Sequence, residues 1–370
     1  MKKIYFGGPL ISNKEKKTVL DSVINGFYDG MKKNIINFEN KLKKELNTNY
    51  VHLTFTCTHA MHLALLSCNV KKGDEVILPE ISWVATAQSV SYTGAKCVFV
   101  DIDPNTFCIS PDSIKKAITN KTKAIMVVHA FGHPCPMDEI VDICKKKGLY
   151  LIEDAAPSLG SHISGKKTGT FGDVGCFSFQ GSKIITTNEG GALITNNKKK
   201  YDFAKLYSIL GRTDSKGPFW SDHIAYRYGM SNLNASLGEA QISRLSEIIK
   251  IKRNIAYQFM DYFEKDKNVK FIKEPSYAFS NYAYPNITLN KLGKKFRDKL
   301  VNYLLSKNIQ VRQMFPCTSD MPMYKKRYLN TNSRYVSENS ITLPSYPKIS
   351  SQEIKKVSYT IKKFIRDNIN

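Results

Sequence analysis

The sequence predicts an α/β fold: a large domain with a mostly parallel central sheet covered by helices, and a smaller C-terminal α/β domain. Three observations predict it. Apolar, strand-like runs alternate with helix-like segments between about residues 50 and 197. Acids, lysines and glycine fall where helix ends prefer them. Past about residue 250 the texture changes to short mixed elements broken by Pro275, Pro285, Pro316, Pro322, Pro344 and Pro347.

The strand-like runs are "EVILPE" (75–80), "KCVFVDI" (96–102), "AIMVVHA" (124–130), "LYLIEDA" (149–155), "CFSFQ" (176–180) and "ALITN" (192–196). Between them, "THAMHLALLSC" places Met61, Ala64, Leu65 and Cys68 at helical spacing. In "SPDSIKKAIT", Ser110 or Asp112 can cap a helix start. "PMDEIVDICKKKG" opens on proline and acid and closes on lysines and Gly148. "ASLGEAQISRLSEIIKIKRNIAYQFMDYF" reads as one long helix over about 235–265. Such alternation argues for a sheet with both faces covered. The expected limits are 1–249 for the large domain and 250–370 for the small one, with the N-terminal segment touching the small domain.

Hydrophobic residues make up 42% and charged residues 24%, which suits a chain able to bury a large core. No run approaches the ~20 apolar residues of a membrane span. "MKKIYFGGPL" is interrupted too early to be a secretory signal. The eight cysteines form no CxxC pair and no zinc spacing, so reduced thiols in a cytoplasm are expected. His59 and His62 could share a helix face, but no third ligand lies near, and no metal is expected. The net charge is +23. Basic residues are scattered in short groups without interleaved aromatics, so a lysine-rich surface is preferred to nucleic-acid binding.

The chemistry concentrates around Lys183, in the polar break of "CFSFQGSKIITTNEGGALITNN". Asp154 follows the strand "LYLI", at the end of an α/β strand where ligands bind. Thr58 stands at a helix start, which suits a phosphate. Ser178 alternates against Phe177 and Phe179 and offers a hydroxyl, and Trp83 follows "EVILPEIS". Taken singly, each has an ordinary reading: a solvated lysine, a helix cap, a core tryptophan, a strand serine. As an ordered set they fit a flat, phosphorylated, nitrogen-containing cofactor. Pyridoxal 5'-phosphate meets all four demands: an amine for its aldehyde, an acid for its ring nitrogen, an aromatic to stack on and a phosphate cup. A lysine that shuttles protons there would need a lowered pKa.

The chain resembles the DegT/DnrJ/EryC1/StrS sugar aminotransferases, of aminotransferase fold type I. The likeness rests on "NGFYDGMKKNIINFENKL", "ISWVATAQSVSYTGAKCVFVDIDPNTF", "IEDAAPSLGSHISGKKTGTFGDVGCFSFQGSKIITTNEGGALITNN", "MSNLNASLGEAQISRL" and "TLPSYPKIS". It implies that residues 1–249 bind the cofactor. Lys183 would form the Schiff base and shuttle the proton. Asp154 would bond the pyridinium nitrogen and Trp83 would stack on the ring. The N–H groups of Thr58 and His59, with the Thr58 and Ser178 hydroxyls, would hold the phosphate. The enzyme would be at least a homodimer with shared active sites. The chain departs from the family pattern in three places, at four residues. Pro157 stands where Gln or His is usual, Cys57 and His59 replace small residues, and Arg227 begins "RYGM" where the family has N-Y-R-M from the neighbouring chain; at the asparagine position Arg227 would reach the cofactor phosphate, with a place on the rim as the alternative.

Dehydrating relatives carry histidine at the lysine position, so Lys183 argues for transamination. The resemblance implies L-glutamate as donor and the C4 keto group of a nucleotide-linked 4-keto-6-deoxyhexose as acceptor. The likeness is greatest to enzymes making viosamine- or perosamine-type sugars, and of these a dTDP- or UDP-linked glucose-type sugar giving a viosamine-type product is expected. Amination at C3 is the alternative, and a non-catalytic basic regulator of the same fold is a third reading. Arg312 is weighed as a diphosphate ligand against a surface role.

Overall fold

The computed structural model describes residues 2–28 and 30–369. Its main sheet is built from β1 (Tyr50–Thr54), β2 (Glu75–Pro79), β3 (Lys96–Val100), β4 (Thr122–Val128) and β5 (Tyr150–Asp154). After the short strands β6 (His162–Ile163) and β7 (Lys166–Lys167), β8 (Val174–Ser178) and β9 (Gly191–Thr195) complete it. The strand order is β1-β9-β8-β5-β4-β2-β3. Only β9 runs against its neighbours; the other six strands point the same way.

Every residue of β2, β8 and β9 is buried, as a sheet covered on both faces requires. Alternation divides β2 between two cores. Ile77 joins Phe38, Leu42 and Val127 on one face, while Val76 and Leu78 join Met61, Leu65 and Met126 on the other. The segment around Met137–Lys147 forms the expected helix, ended by Gly148 at φ 65°. Ser110, not Asp112, caps Pro111–Ala117 by accepting Ser113 N–H.

A second sheet lies C-terminal. Its strands are β10 (Val269–Phe271), β12 (Asn286–Leu289), β13 (Arg312–Gln313) and β14 (Ser340–Thr342), all antiparallel. Another short strand, β11 (Ala278–Phe279), leaves this sheet to pair with β6. A third core, around this sheet, gathers Phe259, Phe263, Ile287, Leu289, Ile341 and Ile361. Ile4 belongs to it, bridging to Ile309 from the N-terminal segment.

One strand falls outside the expected runs, and one expectation needs correction. β1 carries no clear strand pattern, because "YVHLT" interrupts its apolar residues with His52 and Thr54. Both are buried here because His52 meets Ser208 Oγ at 2.7 Å and Thr54 donates to Thr56 O. The long helix is two helices, Asn232–Ile242 and Leu245–Phe263. At the break, Arg244 N–H turns back to Gln241 O, and its guanidinium reaches Glu15 at 2.8 Å and Glu247 at 2.9 Å. The second of these helices bridges two cores, with Leu245 and Ile248 in the one that holds Ile77 and Phe38, and Ile255 and Phe259 in the one around the C-terminal sheet. Among the described residues, no helix is long and apolar enough to cross a membrane.

Candidate active site

Six strands share one direction, so their carboxyl ends share one edge of the sheet. Ligands of open α/β sheets bind beyond that edge. It gathers Thr56–Thr58 after β1, Ser82–Trp83 after β2, Ala130–Phe131 after β4, Asp154 at the end of β5 and Ser178 at the end of β8. A cavity of about 530 Å³ opens there, a size typical of small-molecule sites. Thr58, Trp83, Asp154, Ser178 and Lys183 all line it, as do Cys57, Pro157 and Arg312. A more open depression of about 600 Å³ lies near Asn105, Lys270 and Asn290. It brings together none of the expected residues.

Asp154 is buried. Thr86 Oγ1 donates to its Oδ2 at 2.7 Å, and Ala156 N–H to its Oδ1 at 3.1 Å. Burial pushes its pKa up, against the pull of Thr86, Ala156, Lys183 and His129. No cation bonds it directly among the described residues. A protonated ring nitrogen would supply the charge that this carboxylate lacks. Behind it, the neighbouring Glu153 points to the opposite face. It accepts the N–H groups of Gly169, Phe171 and Gly172 and faces His129 Nε2 at 2.9 Å. His129 Nδ1 accepts Cys135 N–H at 3.1 Å, so Nε2 carries the proton that it gives to Glu153.

Lys183 sits in a turn closed by its own N–H to Gln180 O at 2.9 Å. The preceding residue is pinned from two sides. Ser182 donates its N–H and hydroxyl to Gln180 Oε1, and Tyr284 OH donates to Ser182 O at 2.9 Å. Lys183 Nζ lies 5.8 Å from the centre of the Tyr284 ring. Among the described residues it has no hydrogen bond or ion pair. Ser178 Oγ faces the cavity, while Phe177 and Phe179 pack into the core.

The helix over Cys57–Ser67 starts one residue earlier than "THAMH" implied, with Thr56 as its cap. Thr56 Oγ1 accepts His59 N–H at 3.2 Å, so that N–H is already engaged. The closeness of this turn to β9 depends on Gly191. A Cβ there would stand 2.5 Å from Cys57 N. The Cys57 thiol is pushed well above its usual range, chiefly by burial.

Trp83 is 64% exposed on the cavity wall, with its ring 5.9 Å from Phe315. Two expected residues do not line the cavity. The His59 ring stacks on Tyr228 at 3.9 Å, and Arg227 is exposed in a segment bridged to Ile209. Thr86, Ser82, Tyr284, Phe315 and Phe6 belong to the wall and were not anticipated. Ser82 Oγ is buried there without a partner. Thr86 and Ser82 carry no signal of their own in "ISWVATAQ", and Tyr284 and Phe6 arrive from distant parts of the chain. A buried acid that no cation bonds, an unpaired amine, a partnerless hydroxyl and a helix start fit pyridoxal phosphate.

The model of the DegT/DnrJ/EryC1/StrS aminotransferase family matches residues 9–362. The chain is 37% identical over 370 residues to the GDP-perosamine synthase of Escherichia coli O157:H7, covering 99% of this chain and 100% of that protein. It is 34% identical to the GDP-perosamine synthase of Vibrio cholerae, covering 96% and 97%. A putative sugar aminotransferase of Streptococcus pneumoniae, solved in its PLP form, superposes over 100% of both chains with a TM-score of 0.92 at 25% identity. The chain therefore belongs to the DegT/DnrJ/EryC1/StrS aminotransferase family and is a pyridoxal-phosphate-dependent aminotransferase of fold type I.

Proposed function

We propose that this enzyme transfers an amino group from L-glutamate to the C4 keto group of a nucleotide-linked 4-keto-6-deoxyhexose. The observation that carries this reading is the meeting of Lys183 and Asp154 in one cavity at the carboxyl edge of the sheet. When bound, pyridoxal phosphate supplies an electron sink and carries the amino group from donor to acceptor. Lys183 would hold its aldehyde and, once released, its Nζ would take a proton from one carbon and return it to another. Asp154 keeps the ring nitrogen protonated, and Trp83 lies against the ring. The Thr58 N–H and hydroxyl and the Ser178 hydroxyl take the phosphate; His59 N–H would join them only by leaving Thr56.

The acceptor placed first is a GDP-linked sugar giving perosamine. The names of the two relatives at 37% and 34% identity support it over the dTDP- or UDP-linked, viosamine-type acceptor expected from the sequence. Purified enzyme is to be incubated with glutamate and a panel of 4-keto and 3-keto sugars linked to GDP, dTDP or UDP, and the products read by NMR. A 4-amino sugar from the GDP-linked substrate supports this reading; turnover of 3-keto sugars alone overturns the C4 assignment.

Residues 1–249 are assigned to the cofactor domain and 250–370 to the small domain; a core drawn from Ile4 and residues 255–365 supports this division, while Ile272, Ala283, Tyr284, Met314, Cys317 and Val336 cross it to pack in the large domain's core. At least a homodimer with shared sites is also proposed. Exposed Leu20, Ile24 and Phe27, and an Arg227 that lies off its own cavity, support it. Light scattering, and recovery of activity on mixing Lys183→Ala with Arg227→Ala chains, test it. A cytoplasmic location is proposed as well. The eight cysteines, all unpaired and seven of them buried, support it.

A further inference from the structure

Lys252 lies in the helix that bridges the two cores, and it is 2% exposed. No carboxylate pairs with it among the described residues. Its Nζ instead meets Ala283 O at 3.0 Å, Ser345 O at 2.5 Å and Ser345 Oγ at 2.9 Å. All three partners accept from the amine, and the Ser345 hydroxyl gives its own proton to Ala283 O at 3.1 Å, so the three N–H groups of the charged amine are all met. Burial lowers its pKa to about 7.

The two segments it joins both lead to the cavity. Ala283 precedes Tyr284, whose ring lies 5.7 Å from Lys252 Nζ and 5.8 Å from Lys183 Nζ. The Tyr284 hydroxyl grips Ser182 at its carbonyl, 2.9 Å away, and meets its hydroxyl at 3.0 Å. Ser345, in the "TLPSYPKIS" stretch, donates its N–H to Phe6 O at 2.8 Å. Phe6 stacks on Tyr284 with centroids 5.9 Å apart and carries Arg312 above its ring at 4.2 Å.

We propose that Lys252 is a positioning residue for the amino transfer: by tying Ala283 to Ser345 it fixes Tyr284, and through Tyr284 the turn that carries Lys183. The inference rests on the reading of Lys183 as the amine that holds the cofactor.

The test compares cofactor-loaded wild type with Lys252→Met, Tyr284→Phe and the double variant. Three quantities are read: the single-turnover rate with glutamate, its KM, and the pH midpoint of the visible band of the lysine-bound cofactor. Each single variant should slow the turnover about tenfold, leave KM within about twofold, and move the midpoint in the same direction by about half a pH unit. The double variant should be no worse than the poorer single one. Lys252→Arg should recover part of the loss.

A Lys252→Met enzyme that melts earlier but keeps the wild-type rate and midpoint overturns the proposal. So does a double variant whose loss is the product of the single losses. Should Lys252→Met not fold, Ser345→Ala takes its place with the same two outcomes. Borohydride trapping in the wild type separates the two readings. If it misses Lys183, the assignment of the cofactor amine fails; if it marks Lys183 while the variants behave as wild type, only the role of Lys252 fails.

Discussion

Thr86 gives its hydroxyl proton to Asp154 across 2.7 Å, and both side chains are buried at the cavity floor. The bond aims the carboxylate and offsets part of the burial that pushes its pKa up. Thr86→Val keeps the shape and removes the donor. It should weaken cofactor binding and slow the glutamate half-reaction by about tenfold each. Asp154→Asn should slow the half-reaction by about a hundredfold or more, since it removes the charge itself. Fluorescence titration and stopped-flow absorbance measure both.

Gly191 permits β9 to lie against the start of the Cys57–Ser67 helix. An alanine Cβ there would stand 2.5 Å from Cys57 N and Thr56 C, which are backbone atoms and cannot rotate away. Gly191→Ala should displace that helix start and raise the cofactor dissociation constant by about tenfold or more. An unchanged dissociation constant would remove the helix start from the phosphate site.

The Glu153 carboxylate is saturated by three backbone N–H groups and His129. It fixes the loop 169–172 against β5, one residue from Asp154. Glu153→Gln places two N–H donors among other donors and should cost about 3 kcal/mol. His129→Ala, which leaves the three backbone bonds, should cost less, about 2 kcal/mol. Denaturant midpoints give both values.

Glu15 anchors the N-terminal helix to Arg244 and Gln241. Burial pulls its pKa upward, but hydrogen bonds from Ser12, Arg244 and Gln241 outweigh it and hold the group at about 2, from 4.5. The unfolded chain therefore binds the proton first as pH falls. The stabilisation is complete above about 4.5 and is lost on the way down to about 2. Melting curves of the wild type and Glu15→Gln should differ most above pH 4.5 and converge as the pH falls towards 2.

Much of this arrangement was legible in the chain. The buried parallel strands announce themselves as short Val/Ile runs, and five expected site residues converge because each follows a strand end on the same edge. Local pattern fails where a partner supplies the reason. "YVHLT" becomes a strand only because Ser208 and Thr56 satisfy its polar residues. The helical period runs unbroken through Ser243 and Arg244, and the break there answers Glu15, more than 200 residues away. Thr86, Tyr284 and Lys252 are ordinary residues in sequence; their roles exist only in contacts with Asp154, Ser182 and Ser345.

The central claim is that the amine of Lys183 carries the cofactor opposite Asp154. Borohydride reduction of the yellow holoenzyme, followed by peptide mass spectrometry, tests it most directly. A pyridoxyl group on Lys183, absent after Lys183→Ala, is the predicted result; a label on any other lysine, or none, would contradict it.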